Sequence, residues 1–140
     1  MAETIHVDIV SAEGEIFAGP AKMVYLPAIE GDIGVAPRHA PLLTLLRAGE
    51  VRVQTPEGEE QYFYVGGGAL EVQPKKITVL ADTAARAHDL DEAAAIEARK
   101  RAEEALAGKI DRLEQAEALA ELARAAAQLK LIERLRKIRG

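Results

Sequence analysis

Apolar and polar residues alternate along His6-Val7-Asp8-Ile9-Val10 and again along Val51-Arg52-Val53-Gln54, the period-two pattern of a strand buried on one face. Shorter apolar pieces lie between them: Ile16-Phe17-Ala18, Met23-Val24-Tyr25-Leu26 and Leu42 to Leu46, with glycine or proline at their ends. Thr55-Pro56-Glu57-Gly58 places proline and glycine where a hairpin turn requires them. Gln61 to Val65 returns from that turn, and Gly66-Gly67-Gly68 permits a sharp crossing. Ala69 to Gln73 then pairs through Pro74-Lys75 with Ile77 to Ala81. Turns recurring about every eight to twelve residues predict an antiparallel sandwich or barrel. About 85 residues are enough for one two-layered core.

At Asp82 the pattern changes. From Leu90 to Ile138 there is no proline, alanine dominates, and Gly108 is the only glycine. Asp89, Asp91 and Glu92 supply an acidic helix start. Leu90, Ala94, Ala98, Ala102 and Leu106 step by four as an apolar stripe. After Ala107-Gly108-Lys109, Asp111 can cap a second helix, along which Leu119, Leu122, Ala126, Leu129, Ile132, Leu135 and Ile138 recur at three or four. Two amphipathic helices on a short connector predict an antiparallel hairpin. The expected class is α+β: an N-terminal antiparallel β-sandwich over residues 1–87, then a C-terminal two-helix hairpin over residues 88–140. An alanine-lined seam buries little area at about 0.8 kcal/mol per CH₂, while alanine favours each helix by itself. The hairpin is therefore expected to open without its helices melting.

Composition narrows the chemistry. There is no cysteine, which removes disulfides and thiolate catalysis. No run approaches the ~18 apolar residues of a membrane span, and the N-terminus lacks a basic-then-apolar signal pattern. Ser11 is the only serine and has no histidine near it in sequence. His6, His39 and His88 lack metal-ligand spacing. Gly66-Gly67-Gly68 lacks the lysine and Ser/Thr of a phosphate loop. Neither a catalytic residue nor a metal or cofactor site is expected. The net charge of −5 is unevenly spread: residues 1–89 hold 7 Lys and Arg against 13 Asp and Glu, and residues 90–140 hold 11 against 10. From Arg124 onward the bases Arg124, Lys130, Arg134, Arg136, Lys137 and Arg139 face Glu133 alone. Such a basic tip suits an acidic protein partner, whereas the acidic total and scarce aromatics argue against nucleic acid.

The least generic stretch runs from Glu30 to Leu43, with glycines at 31 and 34 and prolines at 37 and 41 marking tight reversals. Asp32 and His39 sit in it, on what reads as connecting structure, where polar groups commonly serve contact. This stretch resembles the EGxxGxxPxHAPLL motif of the epsilon subunit of F-type ATP synthase. Val10-Ser11-Ala12-Glu13, Gly67 through Pro74, Thr78 through Ala84, Asp89-Leu90-Asp91-Glu92-Ala93 and Ala120-Glu121-Leu122-Ala123 extend the resemblance over essentially the whole chain.

The resemblance implies a sandwich of about ten strands in two layers that docks on the gamma subunit and the ring of c subunits. It also implies a non-catalytic rotor subunit, peripheral to the cytoplasmic face of a bacterial inner membrane, that couples proton translocation to ATP synthesis. Asp32 falls where the family places an acid facing the c ring, and His39 beside the gamma contact. The helices are expected to inhibit ATP hydrolysis by extending into the α/β head. There Arg124, Lys130, Arg134, Arg136, Lys137 and Arg139 would meet an acidic loop of the catalytic β subunit. Some members bind ATP through an (I/L)DxxRA motif. Here Leu90-Asp91 is kept but Ala94 replaces the arginine, leaving Asp91 and Arg101 at most and removing a bidentate phosphate partner. A freestanding adaptor, self-associating through its helical stripes, and a small enzyme with a pocket in the sandwich are the competing readings.

Overall fold

The computed structural model describes residues 3–139, apart from the side chain of Arg139. The chain divides after Arg86 into two compact units. Among the described residues the first unit has eight strands: β1 (Ile5–Ser11), β2 (Gly14–Ala21), β3 (Met23–Ala28), β4 (Gly31–Val35), β5 (Leu42–Gln54), β6 (Glu60–Gln73), β7 (Lys76–Ala81) and β8 (Ala84–Arg86). They form one continuous sheet in the order β2-β1-β7-β6-β5-β3-β4, with β8 added to β6. All pairs are antiparallel except β1 and β7, which run parallel from His6↔Lys76 to Val10↔Leu80.

Eight strands replace about ten because the segments before and after Ala48-Gly49 are one strand, as are those on either side of Gly66-Gly67-Gly68. The pairing of β5 with β6 runs from Leu42↔Val72 to Gln54↔Glu60 through both sites. The first half of β5 and the second half of β6 carry β7, β1 and β2. Their other halves carry β3, β4 and β8. The sheet thus folds onto itself around a single core containing Ile5, Val7, Ile9, Val24, Leu26, Val35, Val51, Val53, Phe63, Val65, Leu70, Val72, Ile77 and Val79. These residues are the inward positions of each alternation, so the period-two pattern predicts the core well.

The glycine run makes the crossing possible. Gly67 and Gly68 have φ of +102° and +139°, a region that residues with a Cβ rarely occupy. Their neighbours come close: Gly66 N–H donates to the Thr83 carbonyl at 2.8 Å, and Asp82 N–H to the Gly67 carbonyl at 2.9 Å. Strand β8, which the sequence pattern did not reveal, is fastened by Arg86, whose guanidinium donates to the Ile16 carbonyl at 3.0 Å and lies 5.6 Å from the Phe63 ring centroid. The Thr55–Gly58 turn closes as expected, with Gly58 N–H on the Thr55 carbonyl at 2.9 Å. Thr55 is buried because its hydroxyl accepts the Glu59 N–H at 3.1 Å.

The second unit opens with a short 3-10 turn at Ala87–Asp89, followed by α1 (Glu92–Ala107) and α2 (Arg112–Arg139). Asp91 caps α1, its carboxylate accepting the Ala94 N–H at 3.1 Å. Asp111 accepts the Glu114 N–H at 2.8 Å at the start of α2. Ion pairs Glu92–Arg136 and Arg101–Glu121 set the helices antiparallel. The seam differs from the expected stripes. Ala95 and Ala102 are buried on α1, with Ala98 and Leu106 half-buried, whereas Ala94 is exposed. On α2, Ala118, Ala125 and Leu131 are buried and Leu122, Leu129, Ile132 and Leu135 half-buried, whereas Leu119, Ala126 and Ile138 are exposed. A strict step of four drifts by ~40° at each repeat, so such a row leaves a straight interface. Alternating steps of three and four stay on it.

The crossing should be intolerant of any side chain at Gly68. An added Cβ would lie 2.2 Å from the Leu80 carbonyl oxygen and 2.8 Å from the Ala81 Cα. Gly68→Ala should cost about 3 kcal/mol or more. At Gly58, where φ is +91° but nothing lies within 4 Å, alanine should cost only about 1–2 kcal/mol of backbone strain. Denaturant midpoints of the two variants test this, and equal losses would rule out steric closure at Gly68.

Candidate functional site

In the layer formed by β1, β7, the second half of β6 and the first half of β5, alternate residues point away from the core. The registers align them in rows. Val10, Leu80, Ala69 and Leu45 form one row, and Asp8, Thr78, Glu71 and Leu43 the next. His6, Lys76 and Gln73 follow at the end of the layer. Leu43, Leu45 and Leu80 are 76%, 57% and 56% exposed. Three bulky aliphatics on neighbouring rows of one sheet face have the composition of a docking face with an apolar centre. The sequence pattern missed them because Leu42-Leu43-Thr44-Leu45-Leu46 reads as a buried run. The available signal was that both faces of that strand are apolar, which demands cover on both sides.

Charges border this face. Arg47 continues the outward row of Leu43 and Leu45 and is ion-paired with Asp32. Asp32 lies on strand β4, opposite Pro27, and not on connecting structure as expected. Its carboxylate remains 78% exposed, because β4 is the end strand of the sheet. His39 lies in the loop after the other end of β4. Its Nδ1–H donates to the Ala40 carbonyl at 2.7 Å, and its N–H to the Ala36 carbonyl at 3.2 Å. That loop is tied to the β6–β7 turn by Arg38 N–H on the Pro74 carbonyl at 2.9 Å. Asp32 is thus tied to β5 through Arg47, and the His39 loop to the β6–β7 turn.

At the His6 end, Asp8 accepts from His6 Nε2 at 2.8 Å and from Lys76 Nζ at 3.1 Å. Partial burial pushes the Asp8 carboxyl upward, but the hydrogen bonds and charges of His6 and Lys76 outweigh it and hold it below the ordinary carboxylate value.

The helix bases do not act as one group. Lys130, Arg134 and Lys137 recur at i, i+4 and i+7 and share one exposed face. Arg136 faces away from them and donates to Glu92 at 2.6 Å. That carboxylate, by hydrogen bond and charge, raises the Arg136 pKa further. Arg124 is half-buried, Lys137 lies 3.7 Å from Glu133, and the Arg139 side chain lies outside the described residues. Of the nucleotide-motif remnants, Asp91 is engaged in capping α1 and Arg101 pairs with Glu121 at 3.4 Å. No cluster of three or more potential metal ligands occurs among the described residues, and none of their helices is long and apolar enough to cross a membrane.

Residues 4–87 match the beta-sandwich domain of the ATP synthase Delta/Epsilon chain, and residues 88–133 match its long alpha-helix domain. The chain belongs to the ATP synthase Delta/Epsilon chain family. It is 66% identical over 134 residues to the ATP synthase epsilon chain of Alkalilimnicola ehrlichii, covering 96% of each chain. It is 61% identical to that of Nitrosococcus oceani over the full length of both. Among solved structures, its fold resembles a chain of the Euglena gracilis mitochondrial ATP synthase OSCP/F1/c-ring assembly, with a TM-score of 0.70 at 17% identity, covering 98% of this chain and 82% of that one. It also resembles a chain of the Tetrahymena thermophila mitochondrial ATP synthase central stalk and c-ring, with a TM-score of 0.60 at 12% identity, covering 93% and 97%. The family's two domains correspond to the two compact units.

The depressed Asp8 pKa has a testable sign. Stability from such a group is present above its unfolded value, ordinarily 3.8, and is lost as pH falls through the lower folded value. Asp8→Asn should therefore lower stability near neutral pH by at most about 1 kcal/mol. Its deficit should close in strong acid. A deficit that persists below both pKa values in urea titrations would assign the loss to packing instead.

Proposed function

We propose that this chain is a non-catalytic rotor subunit of a proton-translocating ATP synthase, whose sandwich is the anchor and whose helices are the brake on ATP hydrolysis. The observation that carries this reading is the match of both family domains, in order, over residues 4–133. Two structural features support it. The exposed row of Leu45 and Leu80 with Leu43 gives the sandwich a surface for gamma and the c-subunit ring, with Asp32 at the c-ring side and His39 at the gamma side. The basic face of Lys130, Arg134 and Lys137 gives α2 a surface for an acidic loop of the α/β head. In this conformation Arg136 pairs with Glu92, so it reaches the same loop only when the hairpin opens. Arg124 and Arg139 complete the basic half of α2. The complex holds the subunit peripherally at the cytoplasmic face of a bacterial inner membrane.

Adding back the full chain, or a chain ending at Asp89, to cognate F1 lacking this subunit tests the division of labour. Both should bind, and only the full chain should slow hydrolysis. Because exposed ion pairs contribute at most about 1 kcal/mol each, neutralising Lys130, Arg134 and Lys137 together should relieve most of the inhibition, whereas Lys137→Gln alone should relieve little. Hydrolysis unchanged in the triple variant would remove the electrostatic account.

Nucleotide is not a strong ligand in this reading. Ala94 is exposed where the family motif has arginine, and Asp91 already serves as a cap. Calorimetry of the isolated chain should detect no ATP binding at sub-millimolar affinity.

A further inference from the structure

Residues 1–86 carry 12 Asp and Glu against 7 Lys and Arg, yet three of those seven, Arg38, Lys75 and Lys76, belong to one end of the sheet. The backbone brings them there. Lys75 lies in the β6–β7 turn, where its carbonyl accepts the His6 N–H at 3.1 Å, and the adjoining Pro74 carbonyl accepts the Arg38 N–H at 2.9 Å. Arg38 has φ +68°, a left-handed conformation uncommon for a residue with a long side chain. Its guanidinium is 80% exposed and reaches Glu3. Lys76 and His6 are 54% and 47% exposed and share Asp8 between them. Among the described residues, the acids ion-paired with this group of bases are Glu3 and Asp8 of the same unit. The end thus gathers three bases, two of them ion-paired to Glu3 and Asp8, on an otherwise acidic unit, beside the Leu43, Leu45 and Leu80 surface.

We propose that Arg38, Lys75, Lys76 and His6 receive carboxylates from an acidic protein surface on the rotor partner that docks against the Leu43, Leu45 and Leu80 face. This rests on the docking role given to that face under Proposed function, and it adds the charge of the partner and the residues that read it. A protein surface fits better than a lipid bilayer. Asp8, Glu71 and the Asp32–Arg47 pair lie on or beside the same face, and a uniformly anionic bilayer would meet these acids as well as the bases. A protein can instead present carboxylates only opposite the basic end, with apolar groups opposite the leucines. Glu3 and Asp8 occupy the positions that partner acids would share or displace.

Rim charges act mainly on association rate and salt dependence. The test is binding of the full chain to its cognate gamma–c-ring complex lacking this subunit, followed kinetically at about 50 mM and about 500 mM salt, where screening lengths differ about threefold. Lys75→Gln/Lys76→Gln should slow association about three- to tenfold at low salt and leave it nearly unchanged at high salt. Arg38→Asn, which tolerates the left-handed backbone, should act in the same direction. Leu80→Glu should abolish docking at both salt concentrations. Parental rates and salt dependence in both basic-end variants, with docking still lost in Leu80→Glu, would overturn the proposal while leaving the docking face intact. Undiminished docking of Leu80→Glu would overturn both readings together. Salt-independent losses in the basic-end variants would point to structural damage and count against it. If the parent chain binds phosphatidylglycerol-containing vesicles but not phosphatidylcholine vesicles, and Lys75→Gln/Lys76→Gln abolishes this without altering rotor association, the site belongs to lipid headgroups and the proposal fails.

Discussion

The sandwich depends on the close backbone approach at Gly68. Strands β5 and β6 remain paired from Leu42↔Val72 to Gln54↔Glu60, so both layers hang from a single ladder that must bend. The bend works because Gly67 and Gly68 adopt left-handed φ values and Gly68 presents no Cβ to the Leu80 carbonyl and Ala81. The pairing passes over Arg47 and Gly67 at the crossing, where the Gly66 N–H and the Gly67 carbonyl bond to Thr83 and Asp82 instead, so backbone polar groups next to the core stay satisfied. The outward row of Val10, Leu80, Ala69 and Leu45 follows from the same geometry. Those side chains align because β7 and β5 flank β6 just beyond the bend, in the registers that the bend sets.

The two units are stabilised by different physics. The sandwich has one contiguous aliphatic core with Phe63 and Phe17 in contact, their ring centroids 5.3 Å apart. The hairpin is capped at Asp91 and Asp111 and closes over four buried alanines and Leu131, with two exposed ion pairs. Alanine burial contributes little per residue, and exposed ion pairs weaken with salt. The seam therefore depends on Leu131 and the half-buried leucines more than on its alanines. The Glu92–Arg136 pair joins the two helices through a guanidinium of the basic half of α2.

The alternation of Val7 with Ile9, of Val51 with Val53 and of Ile77 with Val79 named core residues directly, because a strand's side chains alternate by geometry alone. The Thr55–Gly58 turn and the acidic helix starts were legible for the same local reason. Asp32 and His39 were visible as unusual residues within a turn-rich stretch, but their ties to β5 and to the β6–β7 turn were not. Leu43, Leu45 and Leu80 were hidden, because nothing local tells an aliphatic in a continuous apolar run which face it will occupy. On the helices the period was legible and the phase was not. Ala94 and Ala95 are the same residue in adjacent positions, and only the partner helix decides which is buried.

By itself, then, the sequence determined the division into a strand half and a helix half, the turns, the caps and most of the sandwich core, since all of these follow from local conformation and periodic burial. Tertiary structure decided what the chain presents to others. It merged segments into the long strands β5 and β6, added β8, aligned three exposed leucines across two rows, and gathered Arg38, Lys75 and Lys76 at one end. It also separated Arg136 from Lys130, Arg134 and Lys137. Surfaces are made by residues distant in sequence, and their register is fixed by strand pairing and helix packing, which no local pattern encodes.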